Sequence, residues 1–302
     1  MLGKRRAGRS TPPFQARAGK HPCSRVQCNQ RAEGVFAHGD RGCLVASSAA
    51  RAGSRPAAKS GNGKDYDFSA LLAGLKPYAN DADAALCNLE TPIGTPPYSG
   101  YPRFTVPAQI LSDLKSIGYD GCTTATNHTV DAGTSGVNRT LDALEEQELF
   151  ATGSYRGKKE AQEPPIMQID GIKLGVIAST FSLNGLPEAA DWQVDTGVDA
   201  QKLIQRGKSA RQDGADVVVA AIHDGTEYSN RPTAQQRKLG RELAESGVFD
   251  FIYMHHTHSA AANRKTRWHL DRLRAGKFGG QACDKNHLEP RRNQRQGNVQ
   301  PR

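Results

Sequence analysis

Short apolar runs alternate with segments of helical period along the middle of this 302-residue chain. The stretch YDFSALLAGLKPYAND has the helical period, and DAALCNLE then supplies a strand-like run. PAQILSDLKSIG and the apolar run over residues 119–126 repeat the pattern. Because strands that alternate with helices are typical of sheets covered by helices, we predict an α/β fold.

The alternation continues toward residue 258. A third helix is predicted over residues 134–148, with further helices over 199–212 and 233–245, and the last two lead into the strand-like runs ADVVVAAIH and FDFIYMHHTH. Between these helices, PIMQIDGIKLGVIAST predicts two strands joined at Asp170-Gly171. That dipeptide favours the type I′ turn of a β-hairpin.

The two ends of the chain differ from the middle in charge. Residues 1–56 contain 11 Lys and Arg against 2 Asp and Glu, and residues 261–302 contain 11 against 3. Neither end has an apolar period to bury, so we predict disordered basic segments at 1–56 and 261–302 and a folded domain at 57–260. The basic segments lack interleaved aromatic residues, and we expect no nucleic acid as a partner. No secretory signal or membrane span is readable, which leaves the localisation open.

The six cysteines show no C-x-x-C spacing and no framework typical of a small disulfide-rich protein. The sequence therefore predicts neither a zinc ribbon nor a disulfide scaffold. Cys87 and Cys122 lie in strand-like runs, and we predict that they are small buried hydrophobic residues.

Polar side chains with metal-binding atoms follow four of the predicted strands. They are Asn88 and Glu90, then Asn127 and His128, then His223, and finally His255, His256 and His258. The carboxyl ends of parallel strands line a common crevice, so residues distant in sequence can converge there. Imidazole, amide and carboxylate together suit Zn, Mn or Fe better than Ca.

Each cluster alone has a simpler interpretation. A single strand-end histidine such as His223 is more often a hydrogen-bonded polar residue than a ligand, and Asn127-His128 can form a turn. The HHTH stretch can be a solvated loop, and Glu90 a carboxylate at a helix start. Four independent placements at strand ends nevertheless favour a metal site.

The stretches NLETPI, TNHTVDAG, HDGTEY and HHTH, in this order and spacing, resemble the CapA capsule-synthesis family of the metallophosphoesterase-like superfamily. The resemblance covers about residues 65–258. It implies a four-layer α/β/β/α sandwich, two divalent cations (Mn, Fe or Zn) and a role in making or exporting poly-γ-glutamate capsule. It also implies an anionic polymer or phosphate-containing substrate and other capsule-synthesis membrane proteins as partners. Members of the family are usually membrane-associated or extracytoplasmic.

The resemblance also implies roles for individual residues. The metal ligands are expected to be Glu90, Asn127, His223, His256 and His258. His128 is expected to protonate a leaving oxygen or steady the transferred group. Further site candidates are Asn88, Asp131, Glu227, His255 and Asp40, the last in a Gly-Asp pair that the family places after its first strand.

The sequence departs from the family pattern at several places. The run before Asp40 is a poor strand, Asp224 stands where the family usually has Trp, and Met254 where it usually has Gly. The pattern also stops after His258. We therefore expect a sandwich that is incomplete at both ends, as translation in a shifted reading frame would produce, with a site degraded in this copy. A metal-dependent phosphoesterase of unrelated substrate and a non-enzymatic binder of anionic polymer stay open as alternatives.

Overall fold

A computed structural model of the chain describes residues 34–39 and 42–48 as backbone and residues 66–259 in full. The strands form a five-stranded and a four-stranded sheet. The first has the order β1 (Gly34–Gly39), β2 (Gly42–Ser48), β3 (Ala84–Asn88), β4 (Gly121–Thr123), β5 (Phe150–Thr152). The second has the order β6 (Ile166–Ile169), β7 (Ile172–Thr180), β8 (Val217–His223), β9 (Phe251–His255). Each sheet begins with one antiparallel pair and continues with parallel strands.

Helices connect these strands. They are α1 (Ser69–Leu72), a 3-10 turn (Ala73–Leu75), α2 (Lys76–Asp81), α3 (Gln109–Ser116), α4 (Gly133–Glu146), α5 (Lys158–Gln162), α6 (Ala200–Gln212) and α7 (Ala234–Glu245). Within the described part of the chain, no helix combines the length and apolar character that crossing a membrane requires.

The two sheets share a core, and helices cover their other faces. Leu86 of β3 packs with Val176 and Val219 of the second sheet, whereas its neighbour Cys87 packs with the helical layer of the first sheet. On β8, Val218 belongs to the cluster that contains the buried residues of α6 and α7. This alternation follows from the two-residue period of a strand buried on both faces. The predicted α/β fold is confirmed, with the layers in the order α/β/β/α.

Several predicted elements are present at nearly the predicted bounds. Helices α4, α6 and α7 occupy the three predicted regions, and β6 and β7 form the predicted hairpin. Its turn residues Asp170 and Gly171 have φ values of 48° and 83°, as a type I′ turn requires. The first predicted helix is instead broken into α1, a 3-10 turn and α2, and Leu71 of α1 is exposed.

Two predictions need correction. Strands β1 and β2 lie within residues 1–56, which we predicted to be disordered because they lack an apolar period. A short strand such as β2 can pair through its backbone, and it does so with β3, without showing that period. Cys87 and Cys122 are fully buried as predicted, but they form a disulfide between β3 and β4. They are register partners on adjacent strands, a relation that cysteine spacing along the chain does not reveal.

Candidate metal centre

The ends of four parallel strands bring the predicted ligands together. β3 and β4 are neighbours in the first sheet, and β8 and β9 are neighbours in the second, with His223 and His255 as register partners. Glu90 follows β3, Asn127 follows β4, and His256 and His258 follow β9. Since both pairs of strands end at the same edge of the sandwich, these side chains converge.

One group of ligand atoms consists of a carboxylate and two imidazoles. The ligand atoms of Glu90, His256 and His258 all lie within 4.8 Å of one another. Glu90 Oε1 is 3.4 Å from His258 Nε2. Glu90 Oε2 and His256 Nδ1 are buried and have no hydrogen-bond partner among the described residues. A buried carboxylate oxygen without a donor is costly, and a cation would satisfy it, so these residues fit a metal ion.

A second group of metal-binding atoms also includes the carboxylate of Glu90. His223 Nε2 lies 2.9 Å from Asn127 Oδ1 and 3.9 Å from Glu90 Oε1. His223 is completely buried, and its ring is 4.9 Å from the ring of His256. Imidazole, amide oxygen and carboxylate form the mixed N/O set that Zn, Mn and Fe accept. Glu90 lies between the two groups and can serve both.

The electrostatics of the site favour the protonation states that bind cations. Burial acts to raise the pKa of Glu90, but the hydrogen bond and charge of His258 and the charges of other imidazoles outweigh it and lower the pKa. Burial and then the neighbouring imidazoles lower the pKa of His223 well below its usual value. Burial also lowers the pKa of His256, and it lowers the pKa of His255 to about 3. An ionised carboxylate beside neutral imidazoles is what metal coordination requires.

The backbone holds the histidine loop in a rare conformation. His256 has a φ of 100° and His258 a φ of 49°, values that residues with a side chain seldom adopt. Such strain persists only where surrounding contacts impose it, and it concentrates at functional sites.

Gln236, in the capping box of α7, donates from Nε2 to the carbonyl oxygen of Asp224 at 2.7 Å and so ties α7 to the loop that follows β8.

A histidine–aspartate pair lies beside the ligands. His128 Nδ1 is 2.7 Å from Asp131 Oδ2, and both residues are buried. The ring of Phe104 packs edge-on against the His128 ring at 4.8 Å. Asp131 thus holds one ring nitrogen of His128 and leaves Nε2 for other contacts.

The remaining candidates are placed as follows. Glu227 Oε1 is 3.7 Å from His258 Nε2 at the exposed side of the site. Asn88 is buried at the end of β3, where its Oδ1 accepts from the Thr123 hydroxyl at 3.4 Å. The Nδ1 atoms of His255 and His223 are 2.6 Å apart. Asp40 lies outside the described residues.

The structure adds residues that the sequence did not single out. Asn184 Oδ1 accepts from Asn127 Nδ2 at 3.3 Å, and it comes from a tight turn after β7, where its φ is 55°. The Asn184-Gly185 dipeptide, soon after β7, is typical of a turn, so the sequence carries a signal for it.

Exposed aromatic rings surround the site. Phe181 packs against the His256 ring at 4.9 Å and Tyr228 against the His258 ring at 6.1 Å. Tyr101 contacts Phe104, the residue that packs on His128, at 6.5 Å. We call Tyr101, Phe181 and Tyr228 the aromatic rim. With Leu71, they make up the exposed large hydrophobic residues of the described chain, so such side chains concentrate at this site.

Comparison with known proteins identifies similar sequences. The family model described as bacterial capsule synthesis protein PGA_cap matches residues 35–269. The capsule biosynthesis protein CapA of Bacillus anthracis is 24% identical over 209 residues, 65% of this chain and 49% of that protein. The PGA biosynthesis protein CapA of Bacillus subtilis (strain 168) is 29% identical over 147 residues, 48% of this chain and 38% of that protein. The chain thus spans half or less of the length of these curated relatives. The family match extends on both sides beyond residues 57–260, the folded domain that we predicted from composition. The bounds of that domain stay a prediction.

Proposed function

Because the chain belongs to the bacterial capsule synthesis protein family PGA_cap, we propose that it acts in capsule biosynthesis as a metal-dependent phosphoesterase. Both relatives named above are capsule or PGA biosynthesis proteins, which supports this process for the chain. The substrate we propose is a phosphate ester, free or attached to the anionic polymer of the capsule. The other components of capsule synthesis are its proposed partners.

One observation carries the enzymatic part of the proposal. The ligand atoms of Glu90, His256 and His258 lie within 4.8 Å of one another, and Glu90 Oε2 is buried without a donor among the described residues. These three side chains can all bind a metal, and a cation among them would balance the negative charge of the Glu90 carboxylate. Asn127 and His223 extend the set on the other side of Glu90. We propose two cation positions that share Glu90.

Divalent cations held there would lower the pKa of a water molecule and neutralise phosphoryl oxygens. The chain itself would supply orientation and a proton. Water attacks phosphorus and releases one proton to solvent, the P–O bond to the leaving group breaks, and the leaving oxygen takes a proton from Nε2 of His128, which is protonated again before the next turnover. Asp131, 2.7 Å from His128 Nδ1, keeps the ring oriented. Burial of His128 and Asp131 keeps bulk water away from this pair.

The aromatic rim supports an organic group next to the reacting phosphate. Phe181 and Tyr228 are exposed although each packs on a site imidazole. Exposed rings can bind the ring or methylene groups of a substrate by stacking and apolar contact. Inorganic phosphate alone would not need such a surface. The rim therefore favours an ester of an organic alcohol as the substrate.

The test uses full-length protein freed of metal by a chelator. We expect Mn²⁺ to bind in calorimetry and to restore hydrolysis of bis(p-nitrophenyl) phosphate. The Glu90→Gln variant should lose both properties. Glu242→Gln, which changes an exposed carboxylate on α7, should keep them. Protein that binds Mn²⁺ but hydrolyses no phosphoester would contradict the enzymatic proposal and favour the polymer-binding alternative.

A further inference from the structure

The side-chain amide of Asn127 can bind a cation only if its oxygen end faces the ligand group. The oxygen of an amide has lone pairs, whereas the NH₂ nitrogen can only donate hydrogen bonds. The backbone next to Asn127 is held in place, because the Thr126 hydroxyl donates to the carbonyl oxygen of Glu90 at 3.0 Å and accepts from the backbone N–H of His128 at 3.1 Å. These contacts do not decide which end of the amide faces the ligands.

A residue of the loop after β7 contacts the nitrogen end of this amide. Asn127 Nδ2 donates to Asn184 Oδ1 at 3.3 Å, while Asn127 Oδ1 lies 2.9 Å from Nε2 of His223, the other ligand in the second group. The amide is planar, so an acceptor that holds the NH₂ end also directs the oxygen end. The hydrogen bond to Asn184 therefore favours the orientation in which Asn127 can bind a cation.

The turn that carries Asn184 is fixed by its own contacts. The backbone N–H of Phe181 donates to the carbonyl oxygen of His223 at 3.0 Å, and the backbone N–H of Asn184 donates to Ser182 Oγ at 2.9 Å. Leu183, between them, is buried in the core that the two sheets share. The Asn184 side chain is thus held next to Asn127 although Asn184 itself is exposed.

The backbone at Asn184 gives a simpler reason for an asparagine at this position. Its φ of 55° is left-handed, and Asn and Gly adopt that conformation more readily than other residues. A glycine would satisfy this requirement equally well. The backbone requirement does not explain the hydrogen bond to a proposed metal ligand, and a glycine substitution separates the two roles.

We propose that Asn184 is a positioning residue of the metal centre, which accepts from Asn127 Nδ2 and so presents Asn127 Oδ1 to a cation. This inference rests on the proposed function and adds a residue that does not itself bind metal. Without the acceptor, the amide can turn over, and only the molecules with the oxygen inward bind the cation at that position. The apparent affinity then falls by the fraction of molecules in the correct orientation.

The test is calorimetry of the full-length, metal-free protein with Mn²⁺. Asn184→Gly keeps the left-handed backbone and removes the amide, and we expect it to weaken one of the two Mn²⁺ affinities about 10-fold. This is the lower end of what loss of such an outer partner costs, because water can partly replace an exposed acceptor. Asp170→Gly, at the left-handed turn before β7, is the matched control and should change neither affinity. Thermal melting without metal checks that each variant folds.

A conservative variant tests the hydrogen bond itself. Asn184→Asp keeps an acceptor and tolerates the left-handed backbone. Its added charge attracts both cations, so we expect the ratio of the two affinities, rather than each value, to return to that of the wild type. A ratio that stays as in Asn184→Gly would overturn the role of the acceptor.

NMR of protein labelled with ¹⁵N in its asparagines gives a second measurement. With Zn²⁺ bound, which is diamagnetic, the side-chain amide hydrogens of Asn127 should exchange with water more slowly in the wild type than in Asn184→Gly. The Asn127→Asp variant identifies their signals, which it lacks. Equal exchange rates in the two proteins would contradict the proposed hydrogen bond.

The outcomes separate this inference from the proposed function. If the wild-type protein does not bind two Mn²⁺ ions, the proposed metal centre itself is wrong. If the wild type binds two and Asn184→Gly binds both equally well, the metal centre stands and the role of Asn184 is wrong.

Discussion

His128 Nδ1 lies 2.7 Å from Asp131 Oδ2, and the same carboxylate oxygen accepts from the backbone N–H of Phe104 at 2.8 Å. The aspartate thus ties the histidine after β4 to the loop that carries Phe104 and Tyr101. A fixed imidazole next to the ligand group is suited to proton transfer. The proposed reaction assigns it that role.

Removal of this pair should slow catalysis without abolishing metal binding. A positioned general acid contributes about 10²–10⁴-fold to rate, so His128→Ala should lower kcat by about that factor, and Asp131→Asn by less. Both variants should bind Mn²⁺ with nearly wild-type affinity in calorimetry. Asp142→Asn, on the exposed face of α4, is the control. An unchanged kcat in His128→Ala would contradict the assigned role.

The aromatic rim should affect substrate binding more than turnover. Loss of one aromatic contact costs about 0.5–1.5 kcal/mol, so Tyr101→Ala and Tyr228→Ala should each raise KM for bis(p-nitrophenyl) phosphate about 2- to 10-fold with a similar kcat. Steady-state kinetics measure both constants. Leu71→Ala, which removes an exposed hydrophobic residue of α1, should change neither. If the Tyr and Leu variants behave alike, the rim does not contact substrate.

The disulfide should stabilise the first sheet. Cys87 and Cys122 close a loop with a sequence separation of 35, for which chain entropy predicts roughly 3–4 kcal/mol. The Cys87→Ala/Cys122→Ala double variant should therefore unfold at a lower urea concentration than the oxidised wild type. Reduction of the wild type with dithiothreitol should produce a similar loss. Free thiols at both positions in non-reducing mass spectrometry would show that the bond is absent.

A buried tyrosine predicts how stability changes in alkaline solution. Burial, followed by the charge of Asp195, raises the pKa of Tyr155 to about 12. In the unfolded chain the pKa is near 10, so folding is favoured below pH 10, and this contribution is lost as the pH rises toward 12. Tyr155→Phe should remove about 1 kcal/mol of the alkaline decrease in unfolding free energy, measured with urea at pH 9 and 11. Tyr228→Phe, at an exposed tyrosine, should leave the decrease unchanged.

Local patterns in the sequence were sufficient for the main elements of the fold. The helical periods over α4, α6 and α7 and the Asp170-Gly171 turn are properties of neighbouring residues, and they predicted these elements well. Strands β1 and β2 were missed because their pairing lies in the backbone. The Cys87–Cys122 bond was missed because it depends on the register of two strands.

The site, too, has features that local patterns predict and features that depend on tertiary contacts. Glu90, His223 and His256 follow strands, and the rule that parallel strand ends share an edge predicted that they meet. The rule says nothing about which nitrogen faces which neighbour, so the bond between His223 and His255 could not be foreseen. Asn184 and the aromatic rim lie in loops, whose paths depend on tertiary contacts rather than on period.

The central claim is that side chains from four strand ends bind shared cations, and anomalous diffraction from crystals grown with Mn²⁺ tests it most directly. We predict anomalous peaks at coordination distance from Glu90, with His256 and His258 bound on one side and Asn127 and His223 on the other. The Glu90→Gln crystal should lose these peaks. Peaks located elsewhere, or none at these residues in crystals saturated with Mn²⁺, would contradict the account.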